Sequence, residues 1–213
     1  MERTPEMQAK PRLAHAFIVR VMHWIGAFAI FCMILSGWQI YNAAPILPFL
    51  FPQWMTLGGW LAGGIAWHLS AMWLLVADGV AYLIYGIVSG HFRRDFLPIG
   101  RRAVGHDLAQ ALRLRLEHRL GHYNAVQRLL YVGVIVVIIL TVLTGASIWK
   151  PVQLYWLTDL FGGYDFARRI HFVLMSLIVS FLLVHLSLVA LFPRTLVSML
   201  FGLSRESNAG ISQ

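Results

Sequence analysis

Four long apolar stretches constrain the fold of this 213-residue chain more than any other feature of its sequence. A membrane-spanning helix needs about 20 apolar residues, because each residue adds about 1.5 Å of rise. The four stretches run over about 18–41, 57–89, 128–149 and 170–192, and Asp78 is the only charged side chain away from their ends. We therefore predict an all-α fold, an integral membrane four-helix bundle in which residues 1–213 form a single domain.

The placement of the basic residues predicts the orientation of this bundle. The N-terminal tail, the loop between the second and third stretches and the C-terminal tail together hold 14 of the 17 Lys and Arg residues. Only Lys150, Arg168 and Arg169 lie on the other side. Because cytoplasmic segments keep the positive excess, we expect both termini in the cytoplasm and the chain in a bacterial inner membrane.

The two longest loops are predicted to lie at the two membrane surfaces. In the cytoplasmic loop over 91–127, the leucines between Arg101 and Leu120 form an apolar stripe with arginines on the other faces. Such a basic amphipathic helix binds anionic lipid headgroups. Membrane topology thereby explains the net charge of +8, and we exclude nucleic acid as a partner. The uncharged loop from Asn42 to Thr56 is predicted to be a partly buried interfacial connection that covers a cofactor or meets a partner.

Nine histidines are unusual in so apolar a chain, and four of them lie within the predicted spans. His171 and His185 are 14 residues apart, which is about 21 Å of rise and nearly four whole turns, so both face the same way. Since successive spans run in opposite directions, His68 lies at the depth of His171, and His23 lies nearer that of His185. The sequence predicts two stacked imidazole pairs, each bridging two helices.

Two imidazoles on facing helices are what a low-spin b-type haem requires as axial ligands between apolar walls. The four histidines therefore predict two b-type haems at two depths. A zinc or copper site fits less well, because its ligands must all lie within about 2 Å of one ion. For each histidine alone, an interhelical hydrogen bond is the alternative. The remaining histidines are expected to face solvent or lipid headgroups: His15, His91, His106, His118 and His122.

Three sequence elements carry a resemblance to a known family. They are Arg20-x-x-His23-Trp24, the pair His171 and His185, and Tyr123-Asn124-x-x-Gln127-Arg128. With them the whole chain resembles the membrane cytochrome b subunits of respiratory formate dehydrogenases, nickel–iron hydrogenases and thiosulfate reductases. The resemblance implies the same pairing, with His23 and His185 on the inner haem and His68 and His171 on the outer one. It also implies a quinone pocket beside the inner haem.

By their position in this family pattern, Asn124 and Gln127 are candidates to hold a quinone head group. A quinone needs a donor at its carbonyl when it is oxidised and an acceptor when it is reduced, and carboxamides supply both. The alternative is that Asn124 caps the third helix and Gln127 only fills its first turn. His122 could serve as the local proton group or be a surface residue.

Several charged residues have two possible roles. Arg20, and on the outer side Lys150, Arg168 and Arg169, could neutralise haem propionates, although topology and headgroup anchoring account for them as well. Asp78 could relay protons, or it could be a protonated carboxyl that is hydrogen-bonded across helices.

The combined pattern favours a membrane electron-transfer subunit with two b-type haems, which connects the quinone pool to a periplasmic molybdenum oxidoreductase, hydrogenase or cytochrome subunit. With one cysteine, Cys32, and no dinucleotide-binding glycine fingerprint, the chain has to leave catalysis on the primary substrate to a partner. One alternative is a stand-alone di-haem oxidoreductase similar to the superoxide oxidases, which the large cytoplasmic loop and the Tyr-Asn-x-x-Gln motif disfavour. A transporter with a histidine relay is the other, and it predicts no haem.

Overall fold

The computed structural model of the protein describes residues 17–90, 125–191 and 193–201. Its elements in chain order are helices α1 (Phe17–Ala43), α2 (Leu61–Val88), α3 (Ala125–Trp149), α4 (Tyr155–Leu160), α5 (Tyr164–Leu191) and α6 (Pro193–Phe201), with one 3₁₀ turn at Gln53–Met55. The described residues form no strand. Four helices, α1, α2, α3 and α5, are long and apolar enough to cross a membrane. The predicted all-α fold with four apolar helices is thereby confirmed, and the orientation of the termini stays a prediction.

The four long helices pack as two hairpins. The extensive helix contacts join α1 to α2 and α3 to α5. Small residues allow the close approach within the first hairpin, because a Cβ on Gly64 would lie only 2.8 Å from Cγ of Gln39. In the second hairpin Ala167 is fully buried. The helices of each hairpin therefore pack closely against each other. Side chains from both hairpins line the space between them.

The connection between α1 and α2 folds back over the end of α1. Trp38 stacks on Phe51 with ring centroids 4.5 Å apart. The Asn42 side chain donates to the carbonyl of Phe51 at 2.8 Å and accepts from its N–H at 2.9 Å. Trp54, at the tip, is 83% exposed. The loop is therefore fixed to α1 at Phe51, whereas the indole of Trp54 is exposed.

Two helices start at positions other than the apolar stretches that predict them, and glycines with positive φ precede both helices. The second helix begins at Leu61 and not at 57, because Gly58 and Gly59 have φ of 112° and 73°, which a helix cannot continue. The fourth long helix begins at Tyr164 and not at 170, directly after the positive-φ Gly162 and Gly163. Asp165 in its first turn favours this start through the helix dipole.

Several sequence predictions lie outside the described residues. These are the amphipathic stripe of the 91–127 loop up to residue 124, the N-terminal tail through residue 16 and the C-terminal tail after Phe201. The short helices α4 and α6 were not expected from the sequence, because neither reaches the length at which apolar periodicity is informative.

Candidate functional site

His68 on α2 and His171 on α5 face each other across the space between the hairpins. Their ring centroids are 6.4 Å apart, and the ring planes are inclined by 70°. We call them the outer pair, after the side on which the sequence predicts them. They line a cavity whose remaining walls are mostly aliphatic and come from all four long helices, including Ile34, Leu75, Val142 and Met175. An apolar cavity with two convergent imidazoles suits a flat apolar cofactor better than a hydrated ion.

His23 on α1 and His185 on α5 form the second pair, which we call the inner pair. Their ring centroids are 6.3 Å apart with an inclination of 62°. Phe181 stacks on His185 at 5.9 Å, and Trp24 meets His23 edge-on at 5.5 Å. The structure thus brings together the same two pairs that the helix depths predict.

The spacing within each pair fits one metal ion between two imidazoles. A ligating imidazole nitrogen lies about 2 Å from its metal ion and roughly 1 Å from the centre of its own ring, so two rings on opposite sides of one ion have centroids about 6 Å apart. The two observed separations, 6.4 and 6.3 Å, both have this length. Two imidazoles in direct contact would lie closer. The residues present therefore fit a haem, whose iron the two imidazoles of a pair could hold.

Hydrogen bonding fixes which nitrogen of His68 is free to bind a metal. Its Nδ1 lies 3.1 Å from the carbonyl oxygen of Met33 and 3.1 Å from Oγ of Ser36. A carbonyl oxygen can only accept, so Nδ1 carries the proton and donates it. Nε2 then keeps an unshared lone pair, which is the state that a metal ligand requires.

His171 has the same arrangement on the other hairpin. Its Nδ1 lies 3.0 Å from the carbonyl oxygen of Thr141 and 3.0 Å from Oγ1 of Thr144. By the same reasoning Nδ1 is protonated and Nε2 is free. Both members of the outer pair are therefore held in the tautomer that ligates through Nε2.

A glycine makes room for each imidazole of the outer pair. A Cβ on Gly37 would lie 3.4 Å from Cε1 of His68, and a Cβ on Gly145 would lie 3.1 Å from Cε1 of His171. Each glycine follows directly after the hydroxyl residue that contacts the same ring, Ser36 or Thr144. Sequence reasoning treated these glycines as general helix packing. The signal that could have found them is the repeated hydroxyl-glycine dipeptide at one depth on two helices.

Arg20 lies on α1 one turn before His23. Its Nη1 donates to the carbonyl of Leu200 on α6 at 2.9 Å, and its guanidinium lies 5.6 Å from the ring centroid of Phe17. Its Nε is buried and has no hydrogen-bond partner among the described residues. This donor lies one turn from the inner pair, where an acidic group of a cofactor could accept its hydrogen bond, and that role stays a prediction.

Of the two candidates for holding a quinone, Asn124 and Gln127, the structure describes only the backbone of Gln127. Gln127 lies in the first turn of α3, whereas Asn124 and His122 precede the described part of that helix. Their roles at a quinone stay predictions.

Two of the three predicted outer cations make contacts within the protein. Arg168 donates to the carbonyl of Ala44 at 2.7 Å and so joins the two hairpins. Lys150 lies 4.8 Å from the ring centroid of Trp149, and Arg169 is exposed. These contacts are sufficient to explain the positions of Arg168 and Lys150 at this end of the bundle.

Asp78 on α2 faces α1 at the level of the inner half of the bundle. A Cβ on Gly26 would lie 3.1 Å from Oδ2 of Asp78, so the glycine provides the space for the carboxyl group. Gly26 is three residues after His23, which places Asp78 within about one turn of the inner pair. A role in proton relay stays a prediction.

A polynuclear or multi-ligand metal site has no support in the described part of the chain. There, no group of three or more His, Cys, Asp or Glu side chains comes together. The described side chains offer at most two imidazoles to one ion. For a six-coordinate ion, another ligand has to fill the other four positions. The macrocycle of a haem supplies four nitrogens of that kind.

Comparison with known proteins agrees with this arrangement. The model of the family described as prokaryotic cytochrome b561 matches residues 14–202. A protein of Azospira oryzae, described as a putative protein-methionine-sulfoxide reductase subunit YedZ1, is 48% identical over 185 residues, which cover 86% of this chain and 93% of the relative. The resemblance to membrane b-type cytochromes is thereby confirmed. The chain belongs to the prokaryotic cytochrome b561 family and is a haem-binding electron-transfer protein of a prokaryotic membrane.

Proposed function

We propose that this chain binds two b-type haems, one between His23 and His185 and one between His68 and His171. The observation that carries the proposal is that both imidazole pairs have the separation expected across one metal ion. Each haem, when bound, supplies a site that takes up and releases one electron. The histidines would hold the two irons, and the aliphatic cavity walls would exclude water from the outer site.

Two haems at the depths of the two pairs would carry electrons across the membrane. His171 and His185 lie on the same helix, 14 residues apart, which corresponds to about 21 Å along α5. The hydrocarbon core of a bilayer is about 30 Å thick. Two redox sites at these depths would therefore connect a reactant near one surface with a reactant near the other.

On the cytoplasmic side, we propose that a membrane quinol is the electron donor and that Asn124 and Gln127 hold its head group. Oxidation of one quinol to quinone releases two electrons and two protons. The carboxamides would accept hydrogen bonds from the quinol hydroxyls and donate to the quinone carbonyls. The backbone position of Gln127, at the start of α3, supports this placement because α3 begins at the same side of the bundle as α1.

On the periplasmic side, we propose that the electron acceptor is a catalytic subunit that reduces methionine sulfoxide in proteins. The name of the Azospira oryzae relative supports this, since it is a putative subunit of such a reductase and matches nearly the full chain. Reduction of one sulfoxide to the thioether consumes two electrons and two protons and releases water. One quinol therefore balances one sulfoxide, and electrons would flow outward through this chain.

Haem content tests the two-haem proposal. The detergent-purified protein is assayed by pyridine haemochrome, and each of the four paired histidines is replaced by alanine in turn. We expect two haems per chain, falling to about one in every single variant. His118→Ala, in the predicted cytoplasmic loop, is the control and should keep both haems. A protein that binds no haem, or a variant set in which only one pair matters, would overturn the proposal.

Electron transfer to a partner tests the physiological proposal. The chemically reduced protein is mixed with a methionine-sulfoxide-reducing catalytic subunit and a sulfoxide-containing protein, and the haem spectrum is followed. We expect reoxidation only when both are present. Rapid reduction of the isolated chain by superoxide, with no reoxidation by the partner and its substrate, would instead support a stand-alone oxidoreductase of the superoxide oxidase kind.

A further inference from the structure

The outer pair is supported by one arrangement that occurs twice. On each of two helices a backbone carbonyl, a hydroxyl three residues later and a glycine four residues later meet the same imidazole. The two sets are Met33, Ser36 and Gly37 around His68, and Thr141, Thr144 and Gly145 around His171. The helices belong to different hairpins, α1 and α3, so the arrangement occurs at two separate places in the chain.

The direction of each hydroxyl bond follows from its second contact. Ser36 Oγ lies 2.6 Å from the carbonyl oxygen of Cys32, to which it donates its proton. Thr144 Oγ1 lies 2.8 Å from the carbonyl oxygen of Leu140 and donates there. Each hydroxyl oxygen therefore acts as an acceptor towards the Nδ1–H of its histidine. Both hydroxyl side chains are 0% exposed, so water cannot replace them without rearrangement.

We propose that Ser36 and Thr144 are a matched pair of positioning residues that lower the redox potential of the outer site. The inference rests on the proposed ligation of a haem by His68 and His171. Each hydroxyl holds its imidazole in the Nδ1-protonated tautomer, together with the neighbouring backbone carbonyl. Neither residue contacts the metal position itself, and each acts through one histidine.

The physical reason is the polarisation of the imidazole. An acceptor on Nδ1–H draws the proton outward and raises the electron density on Nε2, which makes the ring a stronger donor to a metal. A stronger donor stabilises the more highly charged, oxidised iron and so lowers its potential. The outer pair has two acceptors on each ring.

Potentiometric titration of the full-length protein, followed in the visible spectrum, tests the inference. The variants Ser36→Ala and Thr144→Val remove one hydroxyl each, and valine keeps the shape of threonine. We expect each variant to retain two haems and to shift the potential of one of them upward, while the other is unchanged. The double variant should shift the same haem further. The low-temperature electron paramagnetic resonance signal of that haem should change as well, because the ligand orientation is less restricted.

Two matched controls separate a redox effect from a packing effect. Thr144→Ser keeps the hydroxyl and loses a methyl group, so it should restore the wild-type potential. Ser147→Ala removes another fully buried hydroxyl of α3 that donates only to the carbonyl of Thr144, so it should leave both potentials unchanged. An equal shift in Ser147→Ala would mean that loss of any buried hydroxyl suffices, which overturns the inference.

The possible failures are distinguishable. If the wild-type protein binds no haem, the proposed function fails. If Ser36→Ala and Thr144→Val both keep two haems with unchanged potentials, the positioning role fails and the proposed function stands. If Thr144→Val does not accumulate, Ser36→Ala on the other hairpin carries the same test.

Discussion

Gly145 lies against the imidazole of His171, so closely that a Cβ on the glycine would be 3.1 Å from Cε1 of the ring. That distance is shorter than ordinary van der Waals contact between two carbon atoms. The backbone of α3 can approach the ring only because residue 145 has no side chain. The same approach brings the carbonyl of Thr141 within hydrogen-bond distance of Nδ1. Glycine at this position therefore fixes both the place and the orientation of the imidazole.

Enlarging Gly145 should disturb the outer site and leave the inner site intact. We expect Gly145→Ala to keep two haems with an altered electron paramagnetic resonance signal for one of them. We expect Gly145→Val, whose extra methyl groups cannot fit beside the ring, to lose about one haem per chain. The pyridine haemochrome assay measures the loss.

Gly133 on the same helix provides the matched control. A Cβ there would meet nothing within 4 Å, so Gly133→Ala should bind both haems with unchanged spectra. If Gly145→Val binds two haems with wild-type signals, the placement of His171 against α3 is wrong.

Asn42 should stabilise the connection between α1 and α2. Its side chain makes two hydrogen bonds to the backbone of Phe51, at 2.8 and 2.9 Å, and both are partly shielded from water. Asn42→Ala leaves the N–H and the carbonyl of Phe51 without these partners, which should lower the free energy of unfolding by about 1 to 2 kcal/mol. Denaturant titration in detergent, followed by circular dichroism, measures the change.

Asn42→Asp separates the two bonds. The carboxylate still accepts from the Phe51 N–H but cannot donate to its carbonyl, so we expect a loss at least as large as that of one bond. Equal stability of Asn42→Ala and the wild-type protein would show that the two hydrogen bonds between Asn42 and Phe51 add nothing measurable to the free energy of unfolding.

The sequence was sufficient to predict the four long helices and the two imidazole pairs. Both follow from counting residues, either the length of an apolar stretch or the number of helical turns between two histidines. Apolar length predicts a span, and a separation of nearly four whole turns places His171 and His185 on one face. Counting fails where glycine backbone conformation decides, as at Gly58, where the apolar stretch continues but the helix does not. At α5 it fails in the opposite direction, because the helix begins at Tyr164 and includes charged residues that an apolar count leaves out.

The support of the outer pair could not be predicted, for a different physical reason. Whether the hydroxyl of Ser36 meets His68 depends on the rotation of α1 relative to α2, which the composition of neither helix specifies. The contact of Arg20 with the carbonyl of Leu200 likewise joins the two ends of the described chain, and it depends on where α6 packs. Such contacts require the tertiary structure.

The proposed quinone site makes a kinetic prediction. Replacing the carboxamide in Asn124→Leu or Gln127→Leu removes hydrogen bonds to the quinol head group, so we expect the KM for a quinol analogue to rise about tenfold or more. The reduced haem spectrum should stay unchanged, because neither side chain is proposed to touch a haem. Stopped-flow reduction of the purified protein by the quinol analogue measures the effect.

Gln153→Leu is the matched control for this prediction. It removes the same carboxamide from an exposed position in the connection between α3 and α4, and should leave quinol reduction unchanged. An unaltered KM in both proposed variants would assign the quinol to another part of the bundle.

The orientation of the chain can be tested with the single cysteine as a starting point. Cys32 is buried, and Cys32→Ala gives a background without thiols. In this background we expect Val152→Cys, at a position that is 79% exposed, to react in intact cells with a thiol reagent that cannot cross the inner membrane. Arg113→Cys, in the predicted cytoplasmic loop that holds seven of the 17 Lys and Arg residues, should react only after the membrane is opened.

The physical reason is the positive-inside rule, which places the basic loop in the cytoplasm. Because α1, α2, α3 and α5 alternate in direction, one labelling pattern fixes the sidedness of both histidine pairs. The expected pattern places the pair of His68 and His171 towards the periplasm, near the proposed partner. The reverse pattern would put that pair at the cytoplasmic side and the start of α3 at the periplasmic surface. The proposed quinol site and the proposed partner would then have to exchange sides, and an outward flow of electrons would no longer follow.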